Sequence, residues 1–314
     1  MNKHRAGLLL ASLALAGCAN LFPPHQPPAV ELPAAWPGLS EQAARYDEPE
    51  WWKIYGDPAL DRLIEEALAS NHDIAVATAR IHEARAQVTL ADVEREPTLT
   101  GTFTPSITRS SQRGPNPMPP GTRVTSRNNV LRLNAAYEID LWGKLRGASA
   151  AARADLLAGE YARNTVRNAL AADIAQGYFA LLALDAQIAT ARRTLQTREE
   201  VLKLQQLRMQ SGVSSEFEVR QVEAEVAGVR SLLPQLERDR GQQQNALAVL
   251  LGRSPRALVE GQVALGAPLT PAAMVVPSGL PSELLLRRPD LQQAEQRLIA
   301  ANARISHARG EKPG

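Results

Sequence analysis

The chain has 314 residues and carries 35 lysines and arginines against 33 aspartates and glutamates, so it is long enough for one large or two ordinary domains and close to neutral. It has no basic tract, which argues against nucleic acid as a partner. Hydrophobic residues reach 44% while aromatics are only 4%, so alanine, leucine and valine supply the apolar surface, a composition suited to long packed helices rather than an aromatic core.

At the N-terminus Lys3, His4 and Arg5 precede the apolar run AGLLLASLALAG and then Cys18, the order of a charged region, an apolar region and a processing site. The run is too short for a permanent bilayer span. The stretch LAGC resembles the bacterial lipobox, in which cleavage before the cysteine leaves its thiol to take a lipid. Residues 1–17 are therefore expected to be a signal peptide and Cys18 a lipidation site, the alternative being a plain secretory peptide with an incidental cysteine. Cys18 is the only cysteine, so no disulfide is expected. Acyl chains at about 0.8 kcal/mol per buried methylene would hold the mature end on a membrane. Ala19 follows it, not the aspartate that in such lipoproteins resembles an inner-membrane retention signal, which favours the outer membrane. Residues 18–50 are proline-rich and read as an extended tether.

A first long helix is expected over about 58–95, with Ile74, Ala77, Ile81, Ala84, Val88 and Ala91 on one seam. Two period-two stretches follow, at about 98–109 and 129–142. In the first, Thr98, Thr100, Thr102, Thr104, Ser106 and Thr108 alternate with Leu99, Phe103 and Ile107. In the second, Leu131, Leu133, Ala135, Tyr137, Ile139 and Leu141 alternate with Arg132, Asn134, Glu138 and Asp140. Each has the length of a tilted strand crossing an outer membrane, with its apolar side to lipid and Arg132, Asn134, Glu138 and Asp140 toward a lumen. A half-buried hairpin of a soluble sheet shows the same alternation. If the strands do lie in lipid, two cannot close a barrel, and the rest must come from other chains.

From Lys144 to Ser211 there is no proline, and Ile174, Leu181, Ile188, Leu195, Leu202 and Met209 recur every seven residues, the signature of a left-handed supercoil. A helix over 144–211 would extend on the order of 100 Å. After SGVSSE, a partner helix over 215–251 carries Val219, Val222, Val226, Val229, Leu233, Leu236, Leu247 and Leu250, with Ser214 or Ser215 as its cap and Glu218 in its first turn. Pro234 is expected to kink it. The two make an antiparallel hairpin with its tip at Gly212. A shift of 217 positions lays Asp73 on Asp290 and the first seam on Leu291, Ala294, Leu298, Ala301, Ile305 and Ala308, an internal duplication.

No HExxH, phosphate-cradling glycine loop or cysteine nucleophile beside the lipidated one is present. His72 and His82 do not share the face that ligands four residues apart would. Neither an enzyme nor a cofactor or metal site is expected.

The stretches WWKIYGDPALDRLIEEAL, YEIDLWGKLRGASAAARADLL, RMQSGVSSEFEVRQVEAEV, LAVLLGRSP and GLPSELLLRRPDLQQAEQRLIAANARI together resemble the TolC family of outer-membrane efflux channels, in its lipoprotein branch of OprM-like and NodT-like members. The resemblance implies a mainly α fold of long antiparallel coiled-coil helices forming an α-barrel, with a small membrane β part of two strands contributed to a shared barrel. It implies a homotrimer in outer-membrane lipid, lipid-anchored, projecting into the periplasm, docking with a periplasmic adaptor and an inner-membrane pump of the resistance-nodulation-division type to export drugs, metals or similar small molecules. By position, Ser211, Gly212 and Val213 match the adaptor-docking tip. Glu218 falls at the periplasmic aperture, although a helix-dipole role serves equally. Trp51 and Trp52 match a signature better suited to packing than to binding. The same resemblance makes 51–282 a first repeat and 283–314 the start of a second, so that the chain is expected to be C-terminally truncated and inactive alone. A periplasmic adaptor lipoprotein with a coiled-coil hairpin is the rival reading.

Overall fold

The computed structural model describes residues 50–111, 113–115, 119–254, 256 and 287–311, with Gln26. The expected signal peptide 1–17, Cys18, the expected tether apart from Gln26 and Glu50, and residues 255–286 other than 256 lie outside the described residues. The elements are a 3-10 turn Trp51–Tyr55, then α1 (Pro58–Ser70), α2 (His72–Val93), β1 (Thr98–Arg109), β2 (Thr125–Ala136), α3 (Lys144–Gln210), α4 (Glu216–Leu250) and α5 (Pro289–Glu311). Apart from Gln26, the described residues group into two compact units, one of 82–158 (less the undescribed loop positions) with 295–311, the other of 50–81, 159–254, 256 and 287–294.

In the second of these units α1 begins at a built cap. Asp57 is extended and its Oδ1 accepts from the amide of Ala59 at 2.8 Å, while Pro58, which has no N–H to satisfy, takes the first helical position. Leu60, Leu63, Ile64 and Ala67 then fall on one face and are buried with Trp52 against Leu170, Ile174, Tyr178 and Leu181 of α3 and Leu247 and Leu251 at the end of α4. The Tyr178 hydroxyl donates to the other Asp57 oxygen, so a buried carboxylate is satisfied at both ends.

Helical periodicity continues through residues 58–95, yet the helix breaks at Asn71. Asn71 is extended (φ −69°, ψ 135°); its amide still reaches the Ala67 carbonyl, ending α1, and its side-chain oxygen accepts from the amides of Asp73 and Ile74, starting α2. Its Nδ2 donates to the carbonyl of Leu250 at 2.9 Å, tying the break to the end of α4. Two more contacts close this corner. Gly252 adopts φ +69° where an added Cβ would collide with the Ser70 carbonyl, and Arg253 forms a two-pronged pair with Glu66 at 2.7 and 2.9 Å.

The hydrogen bonds from Arg253 hold the Glu66 carboxyl below its usual range, against the upward push of partial burial. A depressed folded pKa contributes stability that is present above the unfolded value and is lost as pH falls through the folded one. Urea unfolding at descending pH should therefore show this contribution disappearing below about pH 4.5. Glu66→Gln should remove that part of the acid dependence, at a cost near neutrality of no more than about 1 kcal/mol for a partly exposed pair. An acid limb unchanged by the substitution would show that the pair does not link stability to pH.

Along the hairpin of α3 and α4 the heptad positions face inward. Ile174, Leu181 and Ile188 are buried, as are Val219, Val226 and Leu247, while Leu195, Leu202 and Met209 are half-buried toward the tip. Ion pairs flank the seam: Asp185 with Arg240, Arg192 with Glu237, Glu199 with Arg230 and Arg198 with Glu225. From Asp185–Arg240 to Arg198–Glu225 the residue numbers rise on one helix and fall on the other, which fixes the antiparallel sense. α4 continues as one helix through Pro234.

In the other unit β1 and β2 form an antiparallel pair running from Thr98 opposite Ala136 to Arg109 opposite Thr125. β2 thus starts and ends earlier than the 129–142 that alternation suggests. The next rung would need Pro97, which has no amide hydrogen for the ladder. Ser149 and Arg153 of α3 bind the Asp92 carboxylate of α2. α5 meets α3 through two glycines: a Cβ on Gly147 would stand 2.9 Å from the amide nitrogen of His307, and one on Gly310 2.9 Å from that of Lys144. This close approach selects the face that α5 buries. The seam Leu291, Ala294, Leu298, Ala301, Ile305 and Ala308, expected to pack, is exposed instead, and Ala300 and Gly310 are buried.

Candidate functional site

Two regions carry surface that internal packing does not explain. The first is the strand pair. Its register puts Leu99, Phe103 and Ile107 on the same face as Leu131, Leu133 and Ala135, and all are exposed, Phe103 at 62% and Leu131 at 71%. The opposite face is a hydroxyl ladder in which Thr100 faces Asn134, Thr102 faces Arg132 and Ser106 faces Asn128. Alternation follows from the two-residue period of extended chain; what is unusual is that the apolar side has nothing over it.

Of the four residues expected on the polar face, Arg132 and Asn134 are there. Glu138 and Asp140 lie past the last pair, because the ladder stops at Ala136. Glu138 pairs with Lys144 at 3.1 Å. Asp140 accepts from the Arg146 amide at 2.9 Å and from its guanidinium, capping the start of α3. Burial pushes the Asp140 carboxyl up, but the amides of Arg146 and Leu145 and the Arg146 charge together outweigh it and hold the group below its usual range. These residues border an open polar cleft of about 750 Å³ that also takes in Asp92, Arg95 and Arg153.

The second region is the hairpin tip. α3 ends at Gly212 in the left-handed conformation (φ +71°), with the Gly212 amide on the Met209 carbonyl and the Val213 amide on the Arg208 carbonyl at 2.9 Å. Ser215 caps α4 by accepting from the Glu218 amide, and the Ser214 hydroxyl bonds the Glu218 carboxylate. Glu218 is therefore engaged locally, in the capping arrangement that its position in the first turn favours. Val213 is 67% exposed and so is Phe217 at 76%. Sequence reasoning passed over Phe217; the available signal was an aromatic residue between Glu216 and Glu218, off the seam that Val219 begins. Trp52 is buried in the core with Trp51 edge-on at 6.0 Å, a packing role.

Residues 63–253 match the family described as outer membrane efflux protein. The chain belongs to this family. A relative from Pseudomonas putida, named pyoverdine export outer membrane protein OpmQ, is 36% identical over 96% of the chain. The cation efflux system protein CusC of Escherichia coli K12 is 33% identical over 95%. A crystal structure of CusC superposes with a TM-score of 0.77 at 30% identity, covering 93% of this chain and 64% of that one. The Campylobacter jejuni CmeC outer membrane channel reaches 0.80 at 22% identity, over 92% of this chain and 62% of that one, a likeness of fold. The chain spans 64% of the length of each of the two relatives. The fold is thus mainly α, of the kind found in TolC-family channels. Family members are transport proteins, and the adaptor reading is not favoured.

Proposed function

We propose that this polypeptide is a channel subunit of the outer membrane, part of a tripartite efflux system that conducts small molecules from periplasm to exterior without chemistry of its own. The observation that carries the reading is the bare apolar face of the strand pair backed by a hydroxyl-lined one. An uncovered face of this kind is stable against lipid, and the open edges of a two-stranded sheet need further strands from a second repeat and from other protomers of a homotrimer. Relatives named for pyoverdine export, cation efflux and toluene efflux support export as the activity and leave the cargo open.

Within this reading Cys18 is the lipid anchor, residues 18–50 are the tether and 51–282 the first repeat. Arg132 and Asn134 line the lumen, while Glu138 and Asp140 act at its base. Ser211, Gly212 and Val213, with Phe217 beside them, form the surface that meets a periplasmic adaptor and, through it, an inner-membrane pump. Glu218 holds the tip in shape beside the aperture. The test is fractionation of cells expressing the protein with both repeats: it should be recovered with the outer membrane as a trimer that dissociates on heating. A monomer released from membranes by carbonate would contradict the proposal.

A further inference from the structure

Between Pro97 and Tyr137 the sequence holds five arginines, Arg109, Arg113, Arg123, Arg127 and Arg132, and no acidic residue, lysine or histidine. All five are exposed, and none forms an ion pair with a described residue. Like charges gathered without counter-charges repel one another, so such a cluster is best accommodated beside an anion.

The register sorts them. Arg127 stands opposite Ile107 and Arg109 opposite Thr125, which places both on the apolar face of Leu99, Phe103, Leu131 and Leu133 and at its loop end. Arg132, opposite Thr102, is on the other face. The other end of the apolar face runs on into exposed Tyr137, Ile139 and Leu141, with Trp142 beside them. From Leu99 to Arg109 the strand rises about 34 Å at ~3.4 Å per residue, or about 26 Å of height at a tilt of ~40°, against an apolar band about 25 Å tall. The arginines therefore fall at one rim of the band, and aromatic side chains of the type that sit in interfacial girdles fall at the other.

We propose that Arg109 and Arg127, with Arg113 and Arg123 in the adjoining loop, form a binding surface for the phosphate groups of an outer-leaflet lipid. Guanidinium groups bind phosphate through paired, charge-assisted hydrogen bonds, and charge complementarity at the rim of a lipid-facing surface selects an anionic headgroup as the occupant. The inference rests on the outer-membrane reading above.

The full chain, purified in non-ionic detergent, would be titrated with diphosphorylated lipid A and with dephosphorylated lipid A and followed by native mass spectrometry. R109Q/R127Q should bind the diphosphorylated lipid about 30-fold more weakly than the unaltered chain, about fivefold for each charge removed. R109K/R127K should stay within about fivefold of it, and Arg132→Gln, on the opposite face, should not change it. The dephosphorylated lipid should bind all variants alike. Equal affinity in R109Q/R127Q, an equal loss in Arg132→Gln, or no preference for the phosphorylated lipid would overturn the proposal. Fractionation of the same cells separates the two failures. Unaltered protein outside the outer membrane would sink the channel reading and this inference with it, whereas outer-membrane protein with unchanged affinities would sink the lipid site alone.

Discussion

Replacing Gly252 with alanine should lower the unfolding free energy by about 3 kcal/mol or more, the largest effect expected of a single added methyl group among the described glycines. Two costs add at this position. The backbone is left-handed at φ +69°, which an L side chain adopts at about 1 kcal/mol or more. The new Cβ would also stand 2.3 Å from the Ser70 carbonyl oxygen and 2.8 Å from its carbon, a clash with backbone that cannot rotate away. Relief would require pulling the end of α4 off the α1–α2 corner, breaking the bond from Asn71 to the Leu250 carbonyl and loosening Glu66 and Arg253. Two other glycines calibrate the result. Gly56 is left-handed with nothing within 4 Å, so its alanine variant should cost only about 1 kcal/mol. Gly241 lies within α4 with open space around it, and Gly241→Ala should stabilise by about 0.5–1 kcal/mol. Denaturant titration of the three variants should give this order; equal small effects would mean that the corner is not packed as described.

Leu131→Arg should be the most damaging substitution for membrane assembly. Leu131 is opposite Phe103, near the middle of the apolar face. On the proposed function a cation there sits in hydrocarbon, at a cost of about 2–4 kcal/mol near the bilayer midplane. Asn134→Arg, three residues along and on the hydroxyl face, places the same charge toward water and should be tolerated. The informative quantity is the fraction of chain assembled in the outer membrane for each variant. If the apolar face instead faces water, both arginines are solvated and both variants behave alike.

Regularities that repeat within one element are legible in the sequence. The seven-residue spacing from Ile174 to Met209, the alternation from Thr98 to Ile107 and the Ser215 cap each need only neighbours a turn or a rung away. What escaped depends on partners far along the chain. Asn71 breaks a helical pattern because its side chain reaches Leu250, 179 residues on. β2 stops at Ala136 because Pro97 stands opposite the next residue, which takes Glu138 and Asp140 out of the sheet, Asp140 into the cap of α3 and Glu138 into an ion pair with Lys144. α5 buries Ala300 and not the Leu298 seam because Gly147 and Gly310 let two backbones approach, a reason invisible in the pattern of either helix.

The direct test of a lipid-facing sheet is a scan of single spin labels through residues 99–104 and 130–135 of the protein reconstituted in lipid vesicles, comparing accessibility to oxygen, which partitions into lipid, with accessibility to a water-soluble nickel chelate. Labels at 99, 103, 131 and 133 should be reached by oxygen and shielded from nickel, with the reverse at 100, 102, 132 and 134. Nickel accessibility equal on both faces would show that the strands lie in water and that the sheet belongs to no membrane barrel.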